Sequence, residues 1–284
     1  MPALQQDYEL QALLAVGAMA EVWRGLDVQR GTPVAIKVLH SHLRRQTEVR
    51  SLFLAEQQLV TELPRHPGVV HGLYSDDTAE RPYLVMSLAP GVDLRRWVAP
   101  IVGGTLGSSA TAAVERAALP RSVAFAVVRH TALAAAHLHQ QGWVHGDIGP
   151  SNIIVADALP TATVLRQPAS VVLCDLGIMR RIGETGPVRG THAYMAPEQV
   201  RGEAWTAATD VFALGTLLWE LVRGERLFHR GPTFLSAAAV VEAAVPPLGD
   251  RALDALLLRM LSKTVASRMA SATDVVAALD NLSH

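Results

Sequence analysis

Two oppositely charged residues stand in otherwise apolar segments, and each accounts for the other. Lys37 lies in the apolar strand pattern Val34–Leu39, on the strand face that it shares with Ala35. Glu56 falls in the middle of the apolar stripe of a helix predicted over residues 47–63. A buried charge is costly unless it is paired. We therefore predict an inward-facing ion pair between an ammonium and a carboxylate; the alternative is two independent side chains whose charged ends reach solvent.

The lysine of this pair is informative because lysine is rare in the chain. Only two of the 25 basic residues are lysines, Lys37 and Lys263. Two strands joined by a turn around Gly17, a third strand with the lysine-bearing run Val34–Lys37 and a helix with an inward Glu56 together resemble the opening of a protein kinase. The resemblance implies that Lys37 holds the α- and β-phosphates of ATP and that Glu56 holds Lys37.

The same resemblance implies a nucleotide-binding set in the first 88 residues. The segment Leu14–Val22 is similar to the glycine-rich phosphate loop, and a hinge is expected near residues 87–91. The residues expected to contact ATP are Val16, Gly17, Val22, Ala35, Lys37, Glu56, Met86 and Leu88.

Two further segments carry acid and amide side chains. The segment His145–Asn152 resembles the catalytic loop of the family, which implies that Asp147 accepts the proton of a substrate hydroxyl. The segment Asp175–Gly177 resembles the magnesium-binding motif. By resemblance, Asn152 and Asp175 bind Mg²⁺, and the catalytic residues are Asp147, Lys37 and Asn152. Taken alone, each acid could equally be a turn residue or a helix cap.

A fourth group of residues has scaffold roles in the family. The segment Gly190–Glu198 resembles the end of the activation segment in its serine/threonine-kinase form. Asp210 is expected to hold the backbone of the catalytic loop, and Arg268 is expected to pair with Glu198. These positions favour a protein kinase over a kinase that acts on small molecules.

Several positions depart from the family pattern. Ala15 and Ala20 stand where the phosphate loop has its first and third glycines, so we expect weaker or slower handling of nucleotide. Gly149 replaces a lysine that contacts the γ-phosphate. Loss of one preorganised charge donor lowers rates by roughly 10²–10³. The sequence therefore predicts a slow enzyme.

The catalytic loop also lacks an arginine that receives a phosphate in the family. Gly146 occupies that position, so control through phosphorylation of the activation segment loses its receiver. The segment itself offers only Thr185 and Thr191 as hydroxyl residues before Tyr194.

Three functional hypotheses remain open at this point. The first is an active serine/threonine protein kinase that uses ATP and Mg²⁺ on a protein substrate, with a regulatory protein partner. The second is a pseudokinase that binds nucleotide or docks to other proteins, which Gly149 and the two loop alanines favour. The third is a phosphotransferase of the aminoglycoside type, because His145–Asp147 followed by Asn152 is also similar to the catalytic loop of that group.

The patterns of the whole chain predict an α+β, two-lobed, protein-kinase-like fold. Residues 1–88 are expected to form a small lobe of five strands and one helix, and residues 89–284 a larger, mainly helical lobe. We expect surface loops over residues 99–118 and 157–170. The predicted strands are Tyr8–Leu14, Glu21–Leu26, Val34–Leu39, Val69–Tyr74 and Pro82–Leu88. The later predicted helices are Asp93–Val98, Pro120–Gln141, Thr209–Val222, Ala252–Leu261 and Ala272–Leu282.

Composition excludes several function classes. The net charge of −1 argues against general binding to nucleic acid or to anionic membranes. The single cysteine, Cys174, excludes an internal disulfide and a cysteine-based zinc site. We find neither a secretory signal pattern nor a membrane-spanning run, and we expect a cytoplasmic protein.

Overall fold

The computed structural model of the chain describes residues 7–98, 118–156, 170–186 and 192–283. The two predicted surface loops fall almost entirely outside these ranges, as do Gly190 and Thr191. The chain forms two compact units. The first contains Met1–Ala89 together with Asp175–Gly177, and the second contains Pro90–Cys174 and Ile178–His284. Asp175–Gly177 thus belong to the first unit, whereas the predicted division into residues 1–88 and 89–284 assigns them to the second.

The first unit is an antiparallel sheet with one helix, as predicted. Its strands follow the order β1-β2-β3-β5-β4 across the sheet. They are β1 (Tyr8–Val16), β2 (Ala20–Asp27), β3 (Thr32–Leu39), β4 (Gly72–Asp76) and β5 (Tyr83–Ser87). The helix α1 spans Thr47–Glu62.

Strand β3 sorts its residues between the two faces of this sheet. On one face, Val34, Ile36 and Val38 are buried in a core with Tyr8 and Val85. Alternation then places the residues between them on the opposite face. The valines and the isoleucine thus lie on the face that forms this core, and Lys37 lies on the other face.

The opposite face packs against α1. Leu39 at the end of β3 is buried with Ala20 of β2 and Phe53 of α1. Glu56 and Val60 follow Phe53 at helical spacing and are buried as well. The periodicity of α1 therefore places a carboxylate on its buried face, as the sequence predicts.

The prediction for β4 was wrong in its bounds. The strand begins at Gly72, not at Val69. Val69 and Val70 are buried, but Val69 donates its N–H to the carbonyl oxygen of His66 in a turn. Burial requires apolar side chains there without requiring strand geometry.

The second unit is mainly helical, in agreement with the predicted fold class. Its helices are α2 (Leu94–Val98), α3 (Arg121–Gln140), α4 (Pro197–Arg201), α5 (Ala207–Arg223), α6 (Thr233–Glu242), α7 (Arg251–Met260) and α8 (Ala272–Leu282). Helix α3 packs against α5 and α8. Short strands accompany them: β6 (Val92–Asp93), β7 (Trp143–Val144), β8 (Ile153–Val155), β9 (Val171–Leu173) and β10 (Arg180–Arg181). Strand β8 pairs with both β6 and β9, and β10 pairs with β7.

The sequence did not predict α6. Two of its large apolar residues, Phe234 and Leu235, are exposed, so its apolar residues do not form one stripe. An amphipathic pattern is then absent even though the helix forms.

Candidate active site

The first unit contains a cluster of three charged side chains. Lys37 Nζ lies 2.5 Å from Glu56 Oε1 and 3.1 Å from Asp175 Oδ1. Glu56 is only 5% exposed, and its Oε2 has no hydrogen-bond partner within the described part of the chain. The predicted inward pair of Lys37 and Glu56 is therefore present. The independent snorkelling alternative is wrong, because the two charges meet.

The charges of this cluster set its pKa values. Burial by itself lowers the pKa of the Lys37 ammonium, but the carboxylates of Asp175 and Glu56 outweigh burial and raise that pKa above its usual range. Burial raises the pKa of Glu56, the Lys37 charge opposes that rise, and Asp175 adds to it. One ammonium faces two carboxylates, so the ionised cluster has an excess of negative charge.

Asp175 is held in an unusual backbone conformation. Its φ of 60° is the only positive φ of a residue other than glycine among the described residues. Its side chain is 52% exposed while one oxygen remains on Lys37. Just beyond it, a Cβ on Gly177 would lie 3.1 Å from Glu56 Oε2. The backbone thus bends tightly around the Glu56 carboxylate and leaves much of the Asp175 side chain open to solvent.

The sheet register groups half of the predicted nucleotide contacts. Val22 of β2 lies opposite Lys37, and Ala35 lies opposite Met86 of β5. Directly opposed residues of antiparallel strands point to the same face, so these four share the face that carries Lys37. Leu88 follows β5 directly and is partly buried. Four of the eight predicted contacts therefore lie on one face of the sheet.

Of the other predicted contacts, Val16 is the last residue of β1, Gly17 begins the turn to β2, and Glu56 lies on α1. Gly17 donates its N–H to the carbonyl oxygen of Ala20 at 2.8 Å, and Val16 is 65% exposed. The Ala20 methyl is buried with Leu39 and Phe53, so this departure from glycine completes a core. Sequence reasoning missed His40, whose Nε2 lies 2.8 Å from Gly17 O and whose backbone N–H donates to Met19 O.

The second unit carries the predicted catalytic loop. Asn152 Nδ2 donates to the backbone oxygen of Asp147 and to Asp147 Oδ2, both at 2.9 Å. This amide closes the loop on itself and orients the Asp147 carboxylate. Because both N–H groups of Asn152 serve Asp147, its Oδ1 is the atom suited to a cation.

Asp210, near the start of α5, accepts hydrogen bonds from the backbone of the same loop, as predicted. Its carboxylate accepts the backbone N–H groups of His145 and Gly146, both at 2.9 Å, and His139 Nε2 lies 2.8 Å away. Burial raises the pKa of Asp210, but the hydrogen bond with His139, the nearby histidine charges and the Gly146 N–H together hold that pKa below its usual range. The loop backbone is therefore anchored by an ionised, buried carboxylate.

Gly149 has room for a Cβ at the position where the family resemblance implies a lysine. It is buried, and a Cβ there would meet only the ring of Tyr194, at 3.6–3.7 Å. Those are ordinary contacts, so backbone geometry does not require glycine at this position.

The predicted pair of Glu198 and Arg268 is confirmed. The Arg268 guanidinium donates to Glu198 Oε1 at 2.6 Å and to Oε2 at 2.9 Å, and both side chains are buried. Thr209 donates its hydroxyl to the same carboxylate at 2.9 Å. The pair joins α4 to the segment before α8.

The donor chemistry of these residues fits Mg²⁺. Carboxylate and amide oxygens are the ligands that this cation prefers, and Asp175 and Asn152 each offer one. The excess negative charge beside Lys37 also suits a divalent cation. Among the described residues, no three histidine, cysteine or acidic side chains gather in a way that could hold a metal ion.

No helix within the described residues is long and apolar enough to cross a membrane.

The sequence resembles known proteins over nearly its whole length. It matches the family described as "Protein kinase domain" over residues 8–278. It is 32% identical over 294 positions to "Serine/threonine-protein kinase PknB" of Mycolicibacterium smegmatis, a match that covers 97% of this chain and 43% of that protein. It is 29% identical over 296 positions to "Serine/threonine-protein kinase PknL" of Mycobacterium tuberculosis, with 98% and 67% covered. The chain spans less than half the length of the first of these relatives.

Proposed function

This chain belongs to the protein kinase family, and we propose that it transfers the γ-phosphoryl group of ATP to serine or threonine hydroxyls of protein substrates. The observation that carries the proposal is the cluster of Lys37, Glu56 and Asp175, in which a buried carboxylate fixes a charged ammonium. A structural ion pair would need one carboxylate. The second carboxylate, largely exposed beside the ammonium, supports binding of phosphate and a cation.

Each of the remaining residues has a proposed role. Lys37 would bind the α- and β-phosphates, and Val22, Ala35 and Met86 would contact the nucleotide from the sheet face. Asp147 would orient the substrate hydroxyl and accept its proton, since Asn152 holds its carboxylate in place. Asn152 and Asp175 would bind Mg²⁺, which when bound neutralises charge on the phosphates.

We further propose that the enzyme is slow. Kinases commonly turn over at about 1–100 s⁻¹. The missing cation at Gly149 lowers this by roughly 10²–10³, because one charge donor to the phosphoryl group is lost. Packing does not require glycine at position 149, since a Cβ there would make only ordinary contacts with the Tyr194 ring. The loss of the cation at Gly149, together with Ala15 and Ala20, favours a second candidate function, a pseudokinase that binds Mg-ATP without transferring phosphate.

The partners and location follow from the activity proposed. A protein substrate and a regulatory protein partner are expected, and a cytoplasmic location would supply the ATP.

The test is the intact mass of the protein and of a generic protein substrate after incubation with Mg-ATP. Asp147→Asn is the matched control, because it keeps the size of the side chain and removes the base. Phosphate on wild-type samples that is absent from the control supports the proposal. ATP binding without transfer supports the pseudokinase, and transfer to a hydroxylated antibiotic but not to protein supports the small-molecule alternative.

A further inference from the structure

Gly146 of the catalytic loop is glycine for two structural reasons. Its φ is +76°, a conformation that other residues rarely adopt. A Cβ at this position would lie 2.1 Å from Trp205 Cζ3 and 2.8 Å from Cε3. The indole of Trp205 therefore occupies the space into which any side chain at position 146 would project.

The same six-membered ring meets a second glycine. A Cβ on Gly186 would lie 2.1 Å from Trp205 Cζ2 and 2.6 Å from Cε2. Gly186 has no positive φ, so close approach of the ring is the feature that demands glycine there. One edge of the ring thus packs on the catalytic loop at Gly146, and the other packs on Gly186 in the segment that follows β10.

The backbone around Trp205 joins the same segment. Trp205 donates its N–H to Glu184 O at 2.9 Å and accepts the N–H of Gly183 at 2.8 Å. Thr185 forms an antiparallel bridge with Ala204. Residues 183–186 are therefore paired with residues 204–205 and covered by one side chain.

The Trp205 side chain acts through packing and not through hydrogen bonding. It is fully buried, and its Nε1 has no hydrogen-bond partner among the residues that the structure describes. A buried N–H without a partner is unfavourable, so the packing of the ring outweighs that cost. A smaller apolar residue would avoid the cost but would not reach both glycines.

We propose that Trp205 is a positioning residue that fixes residues 183–186 to the catalytic loop by packing on Gly146 and Gly186. The contact needs no charged group, so the segment is held whether or not its hydroxyl residues are phosphorylated. Asp210, five residues further on, holds the backbone of the same loop through His145 and Gly146. The start of α5 and the turn before it thus anchor both the loop and the segment. The kinetic part of this inference rests on the proposed kinase function.

The test compares Trp205→Leu with Trp219→Leu. Trp219 of α5 is another buried indole, whose Nε1 donates to Pro246 O at 2.8 Å, so each variant removes one buried indole. Hydrogen exchange read by mass spectrometry follows the amides of residues 180–186, with α8 as internal reference. Initial rates at varied ATP give kcat and KM separately.

We expect Trp205→Leu to speed exchange in residues 180–186 by about tenfold or more, because the covering ring is gone. It lowers kcat by about 10–100-fold with the KM for ATP within about twofold of wild type, since displaced groups affect the chemical step. Trp219→Leu leaves the exchange in this segment and kcat close to wild type. Wild-type protein treated with a phosphatase, with its mass checked, keeps its kcat.

A second variant, Gly186→Ala, keeps the test valid if Trp205→Leu fails to fold. Gly186→Ala adds a methyl that meets the ring at 2.1 Å, so exchange in residues 180–186 should rise. Where Trp205→Leu folds, adding Gly186→Ala to it should speed exchange no further, because the smaller residue makes room for the methyl.

Unchanged exchange in residues 180–186 in both Trp205→Leu and Gly186→Ala would overturn the proposal. Equal loss of kcat in Trp205→Leu and Trp219→Leu would show general destabilisation and overturn the positioning role. Loss of kcat after phosphatase treatment would overturn the independence from phosphate. If wild-type protein transfers no phosphate at all, the proposed function fails, and the exchange results alone decide the packing role of Trp205.

Discussion

Lys37 Nζ lies 2.5 Å from Glu56 Oε1, which joins strand β3 to helix α1 through a largely buried ammonium and a buried carboxylate. Neither residue is at a surface position where a charge would be free of cost. Each is tolerated because the other is present, and Asp175 adds a second carboxylate to the same ammonium. The pair thus makes the placement of α1 and the charge of Lys37 depend on each other.

Replacing Lys37 by methionine should abolish phosphoryl transfer and destabilise the fold. Glu56 then remains buried beside Asp175 without its cation, at a cost of about 3 kcal/mol at neutral pH. Since the pKa of Glu56 is already raised and loses the opposing charge, protonation relieves the cost. The deficit relative to wild type should therefore be full above the raised pKa and shrink as the pH falls through it.

Urea unfolding of Lys37→Met at neutral pH and at pH about 5 measures this effect. Lys37→Met/Glu56→Gln is the control, because it removes the stranded charge and should recover most of the stability but no activity. A deficit that grows on acidification would contradict the assignment.

Gly149→Lys should raise kcat by up to about 10²–10³, because it restores a cation at the position where the family has one. The site accepts a Cβ, since the nearest atoms, on the Tyr194 ring, lie 3.6 Å away. Gly149→Ala is the matched control and should change neither kcat nor thermal stability appreciably. Steady-state kinetics would decide; no gain in the lysine variant means that the site is impaired elsewhere too.

Gly146→Arg, in contrast, should fail to restore a phosphate receiver. The arginine Cβ would overlap Trp205 and the backbone would keep its positive φ, so we expect a loss of more than about 3 kcal/mol. Trp205→Leu in the same chain should recover part of that loss. Thermal denaturation of the two single variants and the double variant measures the coupling, and additive losses would show that Trp205 does not restrict position 146.

Asp210→Asn should weaken the catalytic loop in a pH-dependent way. The folded-state pKa of Asp210 is lowered, so its contribution is present above the unfolded value of about 3.9 and is lost as the pH falls through the folded value. At neutral pH the variant should lose about 2–4 kcal/mol, because two N–H groups lose a charged acceptor. Unfolding at pH 7 and at about pH 3 tests this; a deficit that is the same at both values contradicts it.

His40→Gln should raise the KM for ATP about 3–10-fold with little change in kcat, since the hydrogen bond to Gly17 O that holds the turn is weakened. The neighbouring His42, whose ring stacks on His40 but is exposed, provides the control His42→Gln. Initial rates at varied ATP distinguish the two. Equal KM values for both variants and wild type would show that His40 does not hold the turn around Gly17.

The positions of Lys37 and Glu56 could be predicted because they follow from local repeats. A strand alternates its side chains with a period of two, and a helix with a period of 3.6, so the face of each charge can be read along the chain. The same reasoning placed α3, α5, α7 and α8 within a few residues. It misplaced the start of β4, because Val69 and Val70 are buried before the strand begins and burial alone does not define a strand.

The contacts of Trp205 and His40 follow no such repeat. His40 reaches Gly17 across the sheet, and Trp205 meets Gly146 and Gly186, which lie far from each other in the sequence. The sequence shows Gly146 only as a missing arginine, whereas the structure shows a ring that leaves no room for one.

The sequence by itself determined which residues carry charge into the interior and which motifs surround them, because backbone periodicity acts over a few residues. Only the tertiary structure decided at which glycines a Cβ could be accommodated. A Cβ fits at Gly149 and would overlap the Trp205 ring at Gly146, although both glycines stand in the same short loop. The difference arises from packing between segments distant in the chain, and no local pattern of residue types encodes that packing.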